Sequence, residues 1–425
     1  MNFRPFALTS ALVMGCFEGS NLKPLNSTDA TVGGPDSYLP PPDDAAFKAD
    51  AAADAAIDAS PAEDVVQVKD VFDRPVIGNA PTLTAEIRQP TLPIYAGSQV
   101  DMHVVASDME DGTPSVSYRI GSAHGSVSID TEGNFTWRVP CALSPGAQIL
   151  YIDAQDNDGN IVTYPIDLTV AAFNILPDLT PLLRNQNLCG DAPRAGFSFE
   201  ADGITLDGIE RDAHGNTVGS FTVGSEATPT TIRSIGHIGN RIRSLHAVGS
   251  IMIAGPDAAL GTGVRLEDIA IDTTSDTALT LVRLGAPTLT NLIIRGNQTP
   301  TPMPPPPGGT ALLQMEEVHD GDFSFIDVSG TSGTGISTER LLGSHFLGVT
   351  ISDAATGLYI SHIVSPAATL ESAHFYNITG CALSVNSNPF PPLTLRLIGS
   401  PLYTNAATEG MCVPPGVVIE EAISE

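Results

Sequence analysis

Apolar and polar residues alternate in short segments that recur about every 22 to 28 residues between Ile242 and Val385. Each segment opens with a small polar residue and places mostly apolar residues at the first and third positions that follow. The opening residues are Ser244, Asp268, Asn291, Asp322, Ser344 and Ser372; the third-position residues are Ala247, Ile271, Ile294, Phe325, Leu347 and Phe375; a second apolar series runs Ile251, Leu279, Leu312, Ile336, Leu358 and Leu383. Alternation with period two indicates strands, and strands that recur at a fixed period indicate a solenoid.

The residues between these strands indicate which solenoid to expect. They are mainly Gly, Asp, Ser and Thr, and no amphipathic helix interrupts the strands, which disfavours leucine-rich and helical repeats. We expect a parallel β-helix with coils about 4.8 Å apart, whose third-position residues stack inside and whose opening residues stack at a corner. The pattern resembles the right-handed β-helix of the pectin-lyase-like superfamily over about the last half of the chain, a resemblance that implies fold rather than function.

Residues 78–171 carry a second pattern of strands. Alternating segments at residues 99–106 and 133–140 stand beside acidic turns at residues 107–112 and 156–160, and turn signals recur about every 8 to 12 residues. This spacing predicts a β-sandwich with Trp137 in its core. The segment resembles the cadherin-like and Ig-type domains of bacterial surface proteins.

The predicted fold class is therefore all-β, a cadherin/Ig-like β-sandwich followed by a right-handed parallel β-helix solenoid over residues 196–425. Residues 172–195 are expected to connect the two. Within this connector we expect residues 179–186 to form a short helix that caps the end of the solenoid, because an uncovered end is an unpaired strand edge.

The N-terminal region resembles that of a bacterial lipoprotein. Residues 1–16 contain Arg4, an apolar run and Cys16, the residue that such proteins lipidate. An ordinary cleaved signal remains the alternative, since Met14 replaces the small residue of the resembled motif. Residues 17–77 are rich in Ala, Asp and Pro, which predicts a disordered spacer. We expect a protein anchored by lipid to the outer membrane, facing the cell surface or the periplasm.

Charge and cysteine usage narrow the function. The net charge is −29, and every lysine (Lys23, Lys48 and Lys69) precedes the sandwich. No basic patch is available for phosphates, so no nucleic-acid partner is expected. The cysteines after the anchor are Cys141, Cys189, Cys381 and Cys412, an even number that favours disulfides in an exported chain. Of three possible connectivities we favour Cys141–Cys189 with Cys381–Cys412.

Two groups of residues are candidates for chemistry. Carboxylates in the acidic turns are the hard ligands that calcium prefers; they could also simply hold turns, which we favour because the resembled families place calcium between consecutive repeats and this chain has one copy. On the solenoid, four residues form a candidate surface stripe with Glu316 and Glu339 near the roughly 5 Å separation of a retaining glycosidase pair. Solvated charges are the alternative. The turn group is Asp108, Glu110, Asp111, Asp156 and Asp158, and the stripe is Arg283, Glu316, Glu339 and His362.

These observations favour a non-enzymatic surface protein that binds carbohydrate or another cell-surface polymer, as an adhesion module. A polysaccharide lyase or glycoside hydrolase on the β-helix is the alternative, and a structural envelope spacer is the second alternative. A proline-rich insertion at residues 299–307 could shape a binding face or be a tolerated loop.

Overall fold

The computed structural model describes residues 78–110, 112–173, 179–189, 196–211, 217–299, 310–361, 363–364, 368–386, 393–398, 402–404, 411–412 and 417–422. The predicted signal peptide with Cys16, the spacer, most of the proline-rich insertion, Asp111 and His362 lie outside these residues. All the secondary-structure elements of the described residues are β-strands, which confirms the all-β prediction. In this part of the chain no helix is long and apolar enough to cross a membrane.

The N-terminal region is an antiparallel β-sandwich. One sheet has the order β1-β2-β5 and the other the order β4-β3-β6-β7. Alternate residues of each strand face the space between the sheets, where Trp137 is 2% exposed and packs edge-on against Tyr118. The strands are β1 (Thr82–Ile87), β2 (Gln99–Ser107), β3 (Ser115–Ile120), β4 (Ala123–Ser126), β5 (Asn134–Arg138), β6 (Gly146–Gln155) and β7 (Ile161–Val170).

The C-terminal region is a parallel β-helix, as predicted. Apart from the antiparallel β12–β13 hairpin, each strand pairs in parallel with a strand of the next coil. The strands are β8 (Thr180–Leu182), β9 (Gln186–Asn187), β10 (Gly196–Phe199), β11 (Thr205–Asp207), β12 (Ile209–Arg211), β13 (Thr217–Val223), β14 (Thr230–Ile235), β15 (Arg241–Ala254), β16 (Gly261–Thr262), β17 (Arg265–Thr273), β18 (Leu279–Gly285), β19 (Thr288–Gly296), β20 (Ala311–His319), β21 (Asp322–Ser329), β22 (Thr334–Leu342), β23 (His345–Leu347), β24 (Thr350–Ala354), β25 (Thr356–Ile360), β26 (Ile363–Val364), β27 (Ala368–Glu371), β28 (His374–Ile378), β29 (Leu383–Val385), β30 (Leu393–Ile398), β31 (Leu402–Thr404), β32 (Met411–Cys412) and β33 (Val417–Ala422).

The strands stack into two walls. The first wall contains β8, β10, β14, the end of β15, β18, β20, β22, β25 and β29. The second wall contains β9, β11, the start of β15, β17, β19, β21, β24 and β28. Buried aliphatic and aromatic side chains from both walls form one continuous core inside the coils. Such a core gains its apolar burial only when neighbouring coils stack.

The interior columns differ in part from the prediction. In the second wall the true column is Ala247, Ile271, Ile294, Val328, Ile351 and Phe375, so the predicted places of Phe325 and Leu347 are wrong. In the first wall Leu313, not Leu312, pairs with Leu279. The sequence Asp-Phe-Ser-Phe at residues 322–325 resembles the opening of a segment, and the prediction therefore placed Asp322 in the column of Asn291. In the structure Asp322 pairs instead with Thr288, at the start of the preceding strand β19.

A one-residue corner in the left-handed backbone region explains this error. Residues at the corner have φ between 52° and 64° in successive coils. Because the alternation of apolar and polar residues resumes directly after the corner, the sequence gives little sign of where the corner lies. Asn291 at this corner donates from Nδ2 to Asp268 Oδ1 at 2.8 Å. The corner column is Ser244, Asp268, Asn291, Phe325, Gly348 and Ser372, so the predicted corner places of Asp322 and Ser344 are wrong.

The expected capping helix at residues 179–186 is also wrong, because β8 and β9 form the first coil of the solenoid instead. The sandwich itself contacts this coil. The buried Gln186 accepts a hydrogen bond from Ser98 Oγ at 2.8 Å and donates to Ala96 O at 2.6 Å. Asn187 N donates to Gly97 O at 3.1 Å. Loop atoms of the sandwich therefore satisfy polar groups that a free solenoid end would expose.

Both predicted disulfides are present. Cys141–Cys189 joins the sandwich to the first coil, and Cys381–Cys412 joins two adjacent coils near the C-terminus. The first bond and the loop contacts attach the sandwich to the solenoid at the same place.

Candidate functional site

The acidic turns of the sandwich use their carboxylates locally. Asp108 Oδ1 accepts from Glu110 N at 2.8 Å, and Asp156 accepts from Asn160 N and Nδ2 at 2.7 Å. Glu110 in turn accepts from Asn79 N at 3.0 Å. Among the described residues, no group of three or more His, Cys, Asp or Glu side chains could hold a metal ion. Calcium at these turns, with Asp158 and Asp111, stays a prediction.

The candidate stripe on the first wall is assembled only in part. Glu316 and Glu339 are paired neighbours on β20 and β22, and Arg340 Nη2 lies 3.6 Å from Glu316 Oε1. Arg283 stands at a left-handed corner with φ of 53°, one position along, and its Nη2 contacts Asp257 Oδ1 at 2.7 Å. The structure therefore brings the two glutamates together and leaves Arg283 outside the pair; His362 is not described.

A larger polar surface lies on the second wall. Interior residues such as Ala247 alternate with outward residues, and the outward positions of successive coils stand in register after the corner. These outward positions form two neighbouring columns, and Val248, Ala270 and Ile293 are their apolar members. We call the polar and aromatic residues of the two columns the polar face; it consists of Thr222, His246, Asp272, Arg295, Asp327, Ser329, Ser352, His374 and Tyr376.

Side chains of the polar face contact each other across coils. His246 Nε2 lies 2.8 Å from Asp272 Oδ2, and Thr222 Oγ1 lies 3.2 Å from His246 Nδ1. A neutral imidazole that donates from Nε2 to the carboxylate accepts the threonine hydroxyl at Nδ1. Arg295 Nη1 lies 3.9 Å from Asp272 Oδ1. That oxygen is buried and has no hydrogen-bond partner among the described residues.

Asp327 lies on the coil after Arg295. Partial burial raises the pKa of its carboxyl group, and the nearby positive charge of Arg295 opposes that rise. The rest of the Asp327 side chain is exposed to solvent. A carboxyl group with a raised pKa is suited to donate a proton or a hydrogen bond.

A cleft of about 240 Å³ borders the polar face where the loops after β13, β17 and β19 meet. Asp272 and Arg295 both contribute to its wall, so an acidic and a basic residue lie on one concave surface. The cleft is lined by Glu226, Pro229, Val248, Gly249, Asp272, Thr273, Thr274, Ser275, Arg295, Gly296 and Asn297.

Aromatic rings lie beside these polar groups. The rings of His374 and Tyr376 are nearly parallel, with centroids 6.3 Å apart, and Tyr376 is 40% exposed. Phe325 at the corner is 59% exposed. Flat exposed rings offer apolar area with little conformational freedom to lose on binding.

The sequence reasoning missed the polar face. His246, Asp272 and Arg295 each flank a correctly predicted interior residue, so the alternation itself contained the signal for these three. Asp327 and its position relative to Arg295 required the corrected register after the insertion. The contacts between coils join residues 24 positions apart (Thr222 and His246) and 26 positions apart (His246 and Asp272), which no local pattern reveals.

Comparisons with known proteins add little to this description. No family model matches the chain, and no curated protein matches it. Similar solved structures include the PKD1 domain of Vibrio anguillarum Epp, with 16% identity over 23% of this chain and 99% of that one and a TM-score of 0.17.

Two polysaccharide-degrading enzymes cover more of the chain. The family 28 exopolygalacturonase of Yersinia enterocolitica has 8% identity over 82% of this chain and 98% of that one, with a TM-score of 0.18. A GH87 α-1,3-glucanase catalytic domain has 9% identity over 82% and 91%, with a TM-score of 0.26. Likenesses of this strength carry no argument about activity, so fold and site rest on the strand pairing and contacts described above.

Proposed function

We propose that the polar face binds a carbohydrate polymer and that the protein is a non-enzymatic surface-binding module. The observation that carries this proposal is the pair of neighbouring outward columns whose polar and aromatic side chains extend from Thr222 to Tyr376, interrupted by Val248, Ala270 and Ile293. A flat wall of stacked coils can accept an extended chain along its length without enclosing its ends.

The chemistry of the row suits sugars. Asp272 and Arg295 offer charged hydrogen-bonding groups, which form bonds about twice as strong as neutral ones. The Asp272 side chain is 39% exposed, so its carboxylate can accept a hydrogen bond from a sugar hydroxyl. The stacked rings of His374 and Tyr376 can pack against the apolar face of a sugar ring. The excess of acids in the chain disfavours polyanionic polymers.

A glycan array with neutral, acidic and amino-sugar polymers tests the proposal on the full chain. We expect a signal with neutral or amino-sugar polymers, weakened about tenfold by Asp272→Asn and by Tyr376→Ala. Tyr164→Ala is the matched control, because Tyr164 is a similarly exposed aromatic residue on the sandwich. A silent array would contradict binding and favour the structural spacer.

Glycoside hydrolysis is a second candidate, favoured by the raised pKa of Asp327. Asp272 and Asp327 lie two coils apart and two residues out of register, which places their Cα atoms about 12 Å apart. Their side chains would have to lean toward each other to reach the roughly 6.5–9.5 Å between the carboxyl groups of inverting glycosidases. In that role Asp327 would protonate the leaving oxygen, and Asp272 with His246 would activate water.

Product assays separate binding from catalysis. Release of reducing ends that is lost in Asp327→Asn would support hydrolysis at the polar face. Loss in Glu316→Gln or Glu339→Gln instead would assign catalysis to the glutamate pair, and an unsaturated product would indicate a lyase. No product with any binding polymer would leave binding as the function.

The location proposal rests on residues 1–77 and completes the functional picture. Lipidation of Cys16 would hold the protein at the outer membrane, and the acidic spacer would extend the folded part away from it. Replacing Cys16 with Ser should release the protein from the membrane fraction. Unchanged fractionation would contradict the anchor.

A further inference from the structure

Phe325 is the exception in the corner column. The other members are Ser, Asp, Asn and Gly, which tolerate a left-handed backbone, whereas Phe325 adopts φ of 56° with a bulky side chain. A phenylalanine at this position strains the backbone, and the fold would be served better by the asparagine that occupies the equivalent corner at residue 291.

Its side chain contributes nothing to the core. Phe323, Phe346 and Phe375 are at most 2% exposed, while Phe325 is 59% exposed. Apolar area that stays in water gains none of the burial free energy by which a buried side chain stabilises the fold. Phe325 therefore disfavours the folded state through its backbone, and the burial of its ring offsets little of that cost.

The ring of Phe325 lies against the corner of the next coil. A Cβ built on Gly348, the corner residue of the next coil, would lie 3.2 Å from Cδ1 of Phe325 and 3.5 Å from Cε1. A side chain at residue 348 would press against the ring, and glycine there leaves it room. Two residues further along β21 is Asp327, so the ring borders the polar face.

Strained residues that persist without structural benefit concentrate at functional sites. We propose that Phe325 is a stacking residue of the polar face, which packs its ring against the apolar C–H face of a sugar unit while Asp327 and Arg295 bond the hydroxyls. This inference rests on the proposed polymer binding and adds the residue that selects a ring with an exposed apolar face.

The substitution Phe325→Asn separates function from structure. Asparagine tolerates the left-handed corner, so the variant should melt at the same or a higher temperature than the wild type. Affinity for the neutral polymers laminarin and hydroxyethyl cellulose, measured by affinity electrophoresis of the full chain, should fall about tenfold. Phe325→Tyr keeps the ring and should retain affinity within about threefold.

Each outcome decides the matter. A lower melting temperature in Phe325→Asn would show a structural role and overturn the proposal. Unchanged affinity in Phe325→Asn, with weaker binding in Tyr376→Ala, would overturn the role of Phe325 and leave polymer binding intact. Wild-type protein that binds neither polymer would overturn the role of Phe325, while an array signal with an amino-sugar polymer would still support the proposed function. Tyr164→Ala serves again as the distant control.

Discussion

The sandwich and the solenoid both bury apolar side chains between sheets, but their strands pair in opposite senses, antiparallel in the sandwich and mainly parallel in the solenoid. In the sandwich, hairpin neighbours such as β6 and β7 pair antiparallel, so most contacts join strands that are close in sequence. In the solenoid, each strand pairs in parallel with strands one coil before and one coil after it. A substitution in the sandwich should therefore affect one closed core, whereas a substitution in the solenoid should affect the stability of the coils above and below it.

The two regions also use carboxylates differently. Backbone donation from Asn134 lowers the pKa of Asp130 in the sandwich. Burial alone would raise the pKa of Asp153, and hydrogen bonds from Arg119 and Thr163 outweigh it. In the solenoid, a backbone hydrogen bond from Ile238 likewise lowers the pKa of Asp202, whereas burial raises the pKa of Asp327. The ionised carboxyl groups of Asp130 and Asp153 thus stabilise the sandwich. The ionised carboxyl group of Asp327 is less favourable in the folded protein, and it lies on a surface that we assign to binding.

The largest expected effect breaks a solenoid column. Phe323→Ala removes a fully buried ring that stacks on Phe346 with centroids 4.7 Å apart, and should cost about 3–5 kcal/mol of unfolding free energy. Hydrogen exchange should rise in β19 and β23, the neighbouring coils, and stay unchanged in the sandwich. Ser324→Ala, an outward neighbour, should be nearly neutral. Uniform exchange across both regions would contradict transmission along the solenoid.

The next effect concerns the joint between the regions. Replacing Cys141 and Cys189 together with serine should cost about 2–4 kcal/mol. Calorimetry should then show separate transitions for the two regions where the wild type shows more closely coupled melting. The matched variant replaces Cys381 and Cys412, whose loss should destabilise only the C-terminal coils. Identical melting profiles for the two variants would argue against a special role of the joint.

A smaller effect sharpens the corner column. Asn291→Ala removes a side chain that tolerates the left-handed backbone and donates to Asp268, so it should cost about 1 kcal/mol. Thr290→Ala, one position earlier in an extended strand, should cost less. Denaturant midpoints of the two variants measure the difference, and equal midpoints would show that the corner exerts no such selection.

The smallest effect distinguishes the carboxylates by pH. A carboxylate whose pKa is lower in the folded state than in the unfolded state, where it is near 3.8, stabilises the fold at pH values above 3.8. This stabilisation is lost as the pH falls through the folded-state pKa. Asp153→Asn should therefore lower stability at pH 7, by about 0.5–1 kcal/mol for this half-exposed pair with Arg119, and make little difference under strongly acidic conditions.

Asp327 should behave in the opposite way. Its raised folded pKa gives a contribution that is present below pH 3.8 and lost as the pH rises through the folded pKa. Asp327→Asn should equal or exceed the wild type in melting temperature at pH 7 and match it in strong acid. A lower melting temperature at pH 7 would contradict the raised pKa.

Local pattern was sufficient for the parts of the fold that repeat regularly. Ala247, Ile271 and Ile294 were placed inside because period-two alternation decides which side of a strand is buried. Trp137 was placed in the sandwich core, and both disulfides were chosen from cysteines close enough in sequence to meet. These features depend on neighbours within one segment or on adjacent segments, so the sequence alone contains them.

Tertiary structure decided the register after the insertion, the partner of the first coil and the composition of the polar face. Phe325 looks like an interior residue until the pairing of Asp322 with Thr288 moves it to the corner. The sandwich replaces the expected capping helix because its loop atoms match the polar groups of β9. His246 and Asp272 meet only because two coils stack. Alternation determines which side of a strand is buried, but a one-residue corner and unequal loops leave the offset between coils free, and that offset is chosen by packing in three dimensions.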